Sequence, residues 1–219
     1  MCTQLSTHRR SPNPGRRLFL TVALVLLAAV SSAHAGVRDK VPHEKVIGVL
    51  INNVRYGQDK AVLTHLDGDR QARELLGPAY DQGTAEQRAE FITFFHHIFA
   101  GVAFPKMRDS FEHLTTITYA AKVDPASGGR VDVDSVIHIQ AGPKEQELKV
   151  RYWLSKGTDG KLRVVDVTLV GDKSMLTNIR EDQVKPILAE GGWPKLLELM
   201  RSRAGELPAL TDKPLVPKK

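Results

Sequence analysis

One cysteine, Cys2, is all that this 219-residue chain holds. It precedes the first apolar run, so no disulfide and no thiolate metal site can form in the rest of the chain. Aromatic residues make up only 6%. A single long apolar run exists, residues 18–30 with Thr21 its one polar member, and it is shorter than the ~20 residues that span a bilayer. None of Ser110, Ser127, Ser135, Ser155, Ser174 and Ser202 sits in a G-x-S-x-G elbow, and no glycine-rich phosphate loop occurs. These absences argue against a serine hydrolase, a nucleotide-binding enzyme and a membrane-spanning protein. An excess of one charge is missing too. The formal net charge is +6, but Arg9, Arg10, Arg16 and Arg17 fall within the first 35 residues, which hold no acid. Without them 27 basic residues face 25 acidic ones, a net charge of +2. No basic stripe is left to grip a nucleic acid.

What is present begins with a leader. The four arginines, the apolar run and the small-x-small site Ala33-His34-Ala35 read as a secretory signal peptide over 1–35, cleaved after Ala35. The pair Arg16-Arg17 also fits the twin-arginine export pattern, though the general secretory route is the better match. The 184 residues that follow suffice for one domain with its own core, expected over 36–203. Residues 204–219, rich in proline and lysine and without periodicity, read as a flexible tail.

Periodicity divides the domain. Val46, Leu50 and Val54 recur at four-residue steps, with Val49 beside them, and predict an opening helix over 41–54. Short helices over 59–66 and 69–76 follow, the latter ended by Gly77-Pro78. Thr84-Ala85-Glu86-Gln87 is a capping box. The helix it opens carries Phe91, Phe94, Phe95, Ile98, Phe99 and Val102, a stripe that takes four of the seven phenylalanines. From Thr115 the period becomes two. Ile117, Tyr119, Ala121 and Val123 alternate; so do Val131, Val133, Ile137 and Ile139; then Leu148, Val150, Tyr152 and Leu154; then Val165, Val167 and Leu169. The turns are 125–129, Gly142-Pro143 and Asp159-Gly160. After a break at 171–174, Ile187, Leu188, Leu196, Leu197 and Met200 return to a helical period around Gly191-Gly192-Trp193-Pro194. The expected class is α+β: a curved, four-stranded antiparallel meander covered on one face by N- and C-terminal helices, which enclose an apolar cavity.

Candidate chemistry is thin. His96 and His97 are about 100° apart on a helix and cannot readily share a metal ion. His113 and His138 have no partner in the pattern, and the carboxylates are scattered, with Asp124, Asp159 and Asp172 in turns. No catalytic group, metal site or cofactor is expected, and the chain reads as a non-enzyme.

Two blocks nevertheless form a recognisable order. The first is Leu75-Leu76-Gly77-Pro78-Ala79-Tyr80 followed by Thr84-Ala85-Glu86-Gln87-Arg88 and Phe91. The second is Val165-Asp166-Val167, Gly171, Ser174, Asn178, Arg180, Gln183, Ile187-Leu188, Gly191-Gly192 and Leu196. Together they resemble the MlaC family, the periplasmic phospholipid-binding proteins of the Mla lipid-transport system, over residues 41–201. One extra residue separates Gly171 from Ser174 and another separates Arg180 from Gln183, which marks a divergent member.

The resemblance implies a monomeric carrier holding a glycerophospholipid by its two acyl chains. It would exchange lipid with an outer-membrane lipoprotein complex and with an inner-membrane ABC transporter bearing a substrate-binding ring. The expected cavity lining is Phe91, Phe94, Phe95, Ile98 and Phe99 from the helix, Ile137, Ile139, Val150, Tyr152, Leu154, Val165 and Val167 from the sheet, and Leu188, Leu197 and Met200 from the last helices. Two alternatives stay open. A cone-shaped α+β enzyme or small-ligand binder would place Tyr119, His138 or Asp166 inside the cavity. A structural subunit would have a closed core and no ligand.

Overall fold

The computed structural model describes residues 41–120, 124–125 and 129–211; the expected leader, Ala121–Val123 of the first strand, and the end of the tail lie outside them. Helices α1 (Pro42–Arg55), α2 (Asp59–Leu63), α3 (Gly68–Leu76), α4 (Ala79–Gln82) and α5 (Ala85–Phe111) lead into strands β1 (Leu114–Tyr119), β2 (Asp124–Pro125), β3 (Arg130–Ala141), β4 (Lys144–Lys156) and β5 (Leu162–Leu169). Helix α6 (Met175–Ile179), a π-helical turn (Arg180–Val184) and helix α7 (Lys185–Gly205) follow.

Local chemistry explains the boundaries. The Gln87 amide donates to Thr84 Oγ1 at 3.2 Å while the Thr84 amide donates to Gln87 Oε1 at 2.9 Å, the reciprocal capping box expected. Helix α5 then runs through Pro105 to Phe111, 27 residues in all. Asp67 caps α3 by accepting from the Arg70 amide. In α1 the buried face is Ile47, Ile51 and Val54, one position over from the expected stripe, and Val49 is exposed. The residues around Val49 explain the shift: Ile47 and Ile51 hold the i, i+4 positions that meet the sheet.

The sheet is the expected meander, in the order β1-β3-β4-β5, all antiparallel. Short β2 also pairs with β3, so Pro125 belongs to a strand and not to a turn. Strands β3 and β4 pair without interruption from Arg130↔Ser155 to Ala141↔Lys144. Between β4 and β5 a bulge intervenes: Trp153 opposes Asp166, but Leu154 opposes Val164, leaving Val165 as the extra residue. Strict alternation predicted Val165 and Val167 on one face. The bulge instead puts Val164 and Val167 with Tyr152 and Leu154, and sends Val165 into a different cluster. The free edge of β5 is partly covered by residues 65–67, through Asp67 N to Val164 O at 3.0 Å and Val164 N to His65 O at 2.8 Å.

Two large apolar clusters result, with a smaller third of Val54, Val62, Ala100 and Phe104 where α1, α2 and α5 meet. Beneath the sheet, Ile47, Ile51, Leu66, Val133, Ile137, Ile139, Val150, Tyr152, Leu154 and Val164 form one core. Among the helices, Ala72, Leu75, Leu76, Tyr80, Phe91, Phe95, Val165, Leu176, Val184, Trp193, Leu196 and Leu197 form the other. Phe99 packs against both.

The last helices carry two deliberate interruptions. Relative to the R-x-Q spacing of the family motif, Arg180-Glu181-Asp182-Gln183 has one residue too many, and it falls inside the π-helical turn. A π turn is the form in which a helix absorbs one inserted residue while both flanks keep their faces. Further on, Gly192 adopts φ 61°, ψ −156°, a conformation open almost only to glycine, so α7 breaks where two short helices were expected. Beyond Arg203, residues 204–211 do not leave the domain. Ala204 is buried, His97 Nε2 lies 3.0 Å from Pro208 O, and the Asp59 amide donates to Thr211 O at 3.0 Å. The expected tail is therefore tied down as far as Thr211, because α5 leaves Gly101 open to Leu207: a Cβ on Gly101 would lie 3.1 Å from Leu207 Cδ1.

Candidate functional site

An apolar opening lies between α5 and the α6–α7 arm. Helix α5 supplies Phe91, Phe95, Ile98, Phe99, Val102, Ala103 and Met107, positions that recur at three- and four-residue steps and so share one face. Opposite stand Met175 and Ile179 of α6, Gln183 and Val184 of the π turn, and Ile187, Leu196, Met200 and Arg203 of α7. The cleft has a volume of about 620 Å³, within the roughly 300–1,000 Å³ of typical ligand pockets. Of its lining, only Gln183 and Arg203 are polar. Such a surface suits an apolar ligand and offers no acid, base or nucleophile to react with it.

An aromatic ladder stiffens the α5 wall. The Phe91 and Phe95 rings stack with centroids 6.1 Å apart, Phe95 and Phe99 at 5.8 Å, and Phe99 meets Phe104 edge-on at 5.5 Å. Trp193 closes the far end, its ring edge-on to Phe91 and its Nε1 donating to Ala79 O at 2.9 Å. Gly83 makes room for it: a Cβ there would lie 2.4 Å from Trp193 Cζ2. The Gly192 break aims Trp193 inward at this point.

The expected lining residues separate into two groups. Phe91, Phe95, Ile98, Phe99 and Met200 do line the cleft. Phe94 turns to the side, half-buried, with the Arg201 guanidinium 5.8 Å from its ring centre. Ile137, Ile139, Val150, Tyr152 and Leu154 are packed in the core beneath the sheet, with Val167 against it, while Val165, Leu197 and Leu188 belong to the helical core. The open volume thus lies between helices, where the sequence had placed it between helix and sheet. The reading missed Ala103 and Met107, with Val102, of α5, and Met175, Ile179, Gln183, Val184, Ile187, Leu196 and Arg203 opposite. The first two continue the α5 period across Pro105. Met175, Ile179, Val184 and Ile187 step by four, five and three, a spacing that only the π turn makes into one face.

The histidines serve the scaffold. His96 Nε2 lies 2.8 Å from Gln71 Oε1, and the Gln71 amide donates to Val165 O at 2.9 Å, tying α5 and α3 to the bulge. Burial pushes the His96 imidazole down to about 4. His97 points instead to Pro208, and His138 faces Glu145 across 3.1 Å. No cluster of metal-ligating residues occurs among the described residues. Tyr119, His138 and Asp166 stand apart from the cleft. Burial first, with Glu44 second, raises the Tyr119 hydroxyl to about 12. Buried Asp166 accepts the Val167 amide at 2.8 Å and the Leu176 amide at 3.0 Å, anchoring the start of α6. It shares a small polar pocket with Trp153, Ser174 and Arg180, on the other side of α6.

Comparison with known proteins agrees with this architecture. The MlaC protein family matches the chain over residues 51–202. Among curated proteins, none matches. Among solved structures, the chain is similar to the phospholipid-binding protein from Ralstonia solanacearum, determined in complex with a phospholipid. The TM-score is 0.57 at 16% identity, over 75% of this chain and 93% of that one. In the described residues, no helix is long and apolar enough to cross a membrane.

Proposed function

This chain belongs to the MlaC family, and on that premise we propose that it is a phospholipid-binding protein and not an enzyme. The observation that carries the proposal is the cleft, with its phenylalanine and methionine lining and two polar groups. Each methylene taken from water gains roughly 0.8 kcal/mol, so acyl chains cross an aqueous space only under apolar cover. The chains lie along the Phe91–Phe95–Phe99 ladder with the headgroup at the solvent side. Methionine side chains, unbranched and deformable, let one cleft fit chains of different length.

In this reading the protein is exported to the periplasm, its leader removed after Ala35. It carries glycerophospholipid between an outer-membrane lipoprotein complex and an inner-membrane ABC transporter with its substrate-binding ring. Reversible loading needs a site that holds the chains without chemistry, and the lining has that character.

Native mass spectrometry and solvent extraction of protein purified from a bacterial periplasm test the proposal. A co-purifying glycerophospholipid is expected. Protein that is lipid-free in every preparation, and that cannot be loaded from vesicles, would sink it.

A further inference from the structure

Two side chains in the cleft have no place in an apolar wall. Gln183 and Arg203 are both exposed, whereas the other lining residues on their arm of the molecule are buried or half-buried. They therefore mark where the cleft meets solvent. Their hydrogen-bonding capacity is largely unused. The Gln183 amide has no hydrogen-bond partner among the described residues, and Arg203 spends one N–H of five, from Nη1 to Glu206 Oε2 at 2.6 Å. Their placement is not incidental to the backbone. Gln183 reaches the cleft because the π turn takes up the extra residue just before it; in a regular helix that residue would turn it about 100° away. Arg203 sits one turn beyond Met200, on the stripe that lines the cleft.

Resting on the phospholipid reading above, we propose that Arg203 and Gln183 form the headgroup-selecting mouth of the cleft. The Arg203 guanidinium holds the phosphate diester, and the Gln183 amide holds the glycerol ester region. A planar guanidinium with free N–H groups matches two phosphate oxygens at once, and the amide supplies both a donor and an acceptor. Glu206 keeps Arg203 over the rim in the empty protein, and the phosphate takes up the donors that Glu206 leaves. The ligand class is then an anionic or zwitterionic phosphodiester lipid, chosen over a neutral diacylglycerol with the same chains.

The test loads delipidated protein from vesicles containing equal amounts of phosphatidylglycerol and chain-matched diacylglycerol, and reads the bound ratio by native mass spectrometry. Wild type is expected to favour phosphatidylglycerol by about ten-fold or more, the size of a hydrogen bond to a charged group. Arg203→Gln should bring the ratio to within about three-fold of parity, Arg203→Lys should fall between, and Gln183→Leu should lower it by about three-fold. Because the Arg203–Glu206 pair is exposed, thermal melting should not change, which separates selection from folding. An Arg203→Gln ratio equal to wild type overturns the proposal, and so does a wild type with no preference; in both cases the lipid reading stands. Binding of free glycerol 3-phosphate as tight as that of the lipid also overturns it. Wild type that takes neither lipid overturns the parent reading instead.

Discussion

The two apolar regions of this protein are built from similar residues and end in opposite states. Beneath the sheet, side chains from three paired strands and α1 close on one another, and Val133, Leu154 and Ile47 have no exposure at all. Between α5 and α7 the lining stays open, with a volume of about 620 Å³. Hydrophobicity does not separate the two. Continuity of backbone does. Strands β3 and β4 stay in register over twelve pairs, so branched residues meet at fixed spacing and fill the space. On the helical side, the π turn and the Gly192 break keep the α6–α7 arm from laying one straight ridge into a groove of α5. Interrupted helices hold a cleft open where straight ones would close it.

The comparison predicts unequal responses to mutation. The largest effect belongs to the closed region: Leu154→Ala should cost about 2–5 kcal/mol in urea unfolding, since its neighbours cannot collapse into the space. A loss below about 1 kcal/mol would break the contrast at its strongest point.

The next concerns His96, which ties α5 through Gln71 to the Val165 carbonyl at the β5 bulge. Its imidazole is neutral in the fold, about 4 against the ordinary 6.5. Between those values the unfolded chain binds a proton that the folded one refuses. Stability should therefore fall as pH drops from about 6.5 to about 4, by roughly 3 kcal/mol, and level off below. Above 6.5 this group adds no slope. His96→Gln should flatten the profile in melts recorded from pH 7 to 4; an unchanged slope would assign it to other groups.

Gly83→Ala tests the closed end of the cleft. With a Cβ 2.4 Å from the Trp193 ring, it should cost about 1–3 kcal/mol and shift tryptophan fluorescence. A neutral result would mean that Trp193 moves freely there.

The smallest effect on folding should come from the open wall. Ile98→Glu faces the cleft and should change stability by about 1 kcal/mol or less, yet remove bound lipid in native mass spectrometry. If it unfolds the protein as Leu154→Ala is expected to, the cleft is a packed core and the contrast fails.

The α5 wall was legible in the sequence because Phe91, Phe95, Ile98 and Phe99 lie within one uninterrupted helix, where spacing alone gives the face. The opposite wall was only half legible. Met200 was expected there, but Leu188 and Leu197 stood in place of Ile187 and Leu196, and Met175, Ile179 and Val184 share a face only after a five-residue step that no regular period contains. Val165 and Val167 were placed together because alternation runs unbroken through Arg163-Val164-Val165-Asp166-Val167; the bulge that parts them leaves no mark in those letters. Ile137, Ile139, Val150, Tyr152 and Leu154 were expected to line the cavity, and they are packed instead in the core beneath the sheet. Whether an inward face is filled or open depends on what stands across from it.

The sequence by itself determined the α+β class, the order of helices before and after a meander, the capping box at Thr84 and the resemblance to one family. All of these rest on local chemistry or on order along the chain. Only the tertiary structure decided that the open volume lies between α5 and α7 and that Gln183 and Arg203 stand at its mouth. The physical reason is that core and cleft are made of the same apolar residues. What distinguishes them is the distance between walls, and that is set by a bulge, a π turn and one glycine whose effects appear only when remote segments meet.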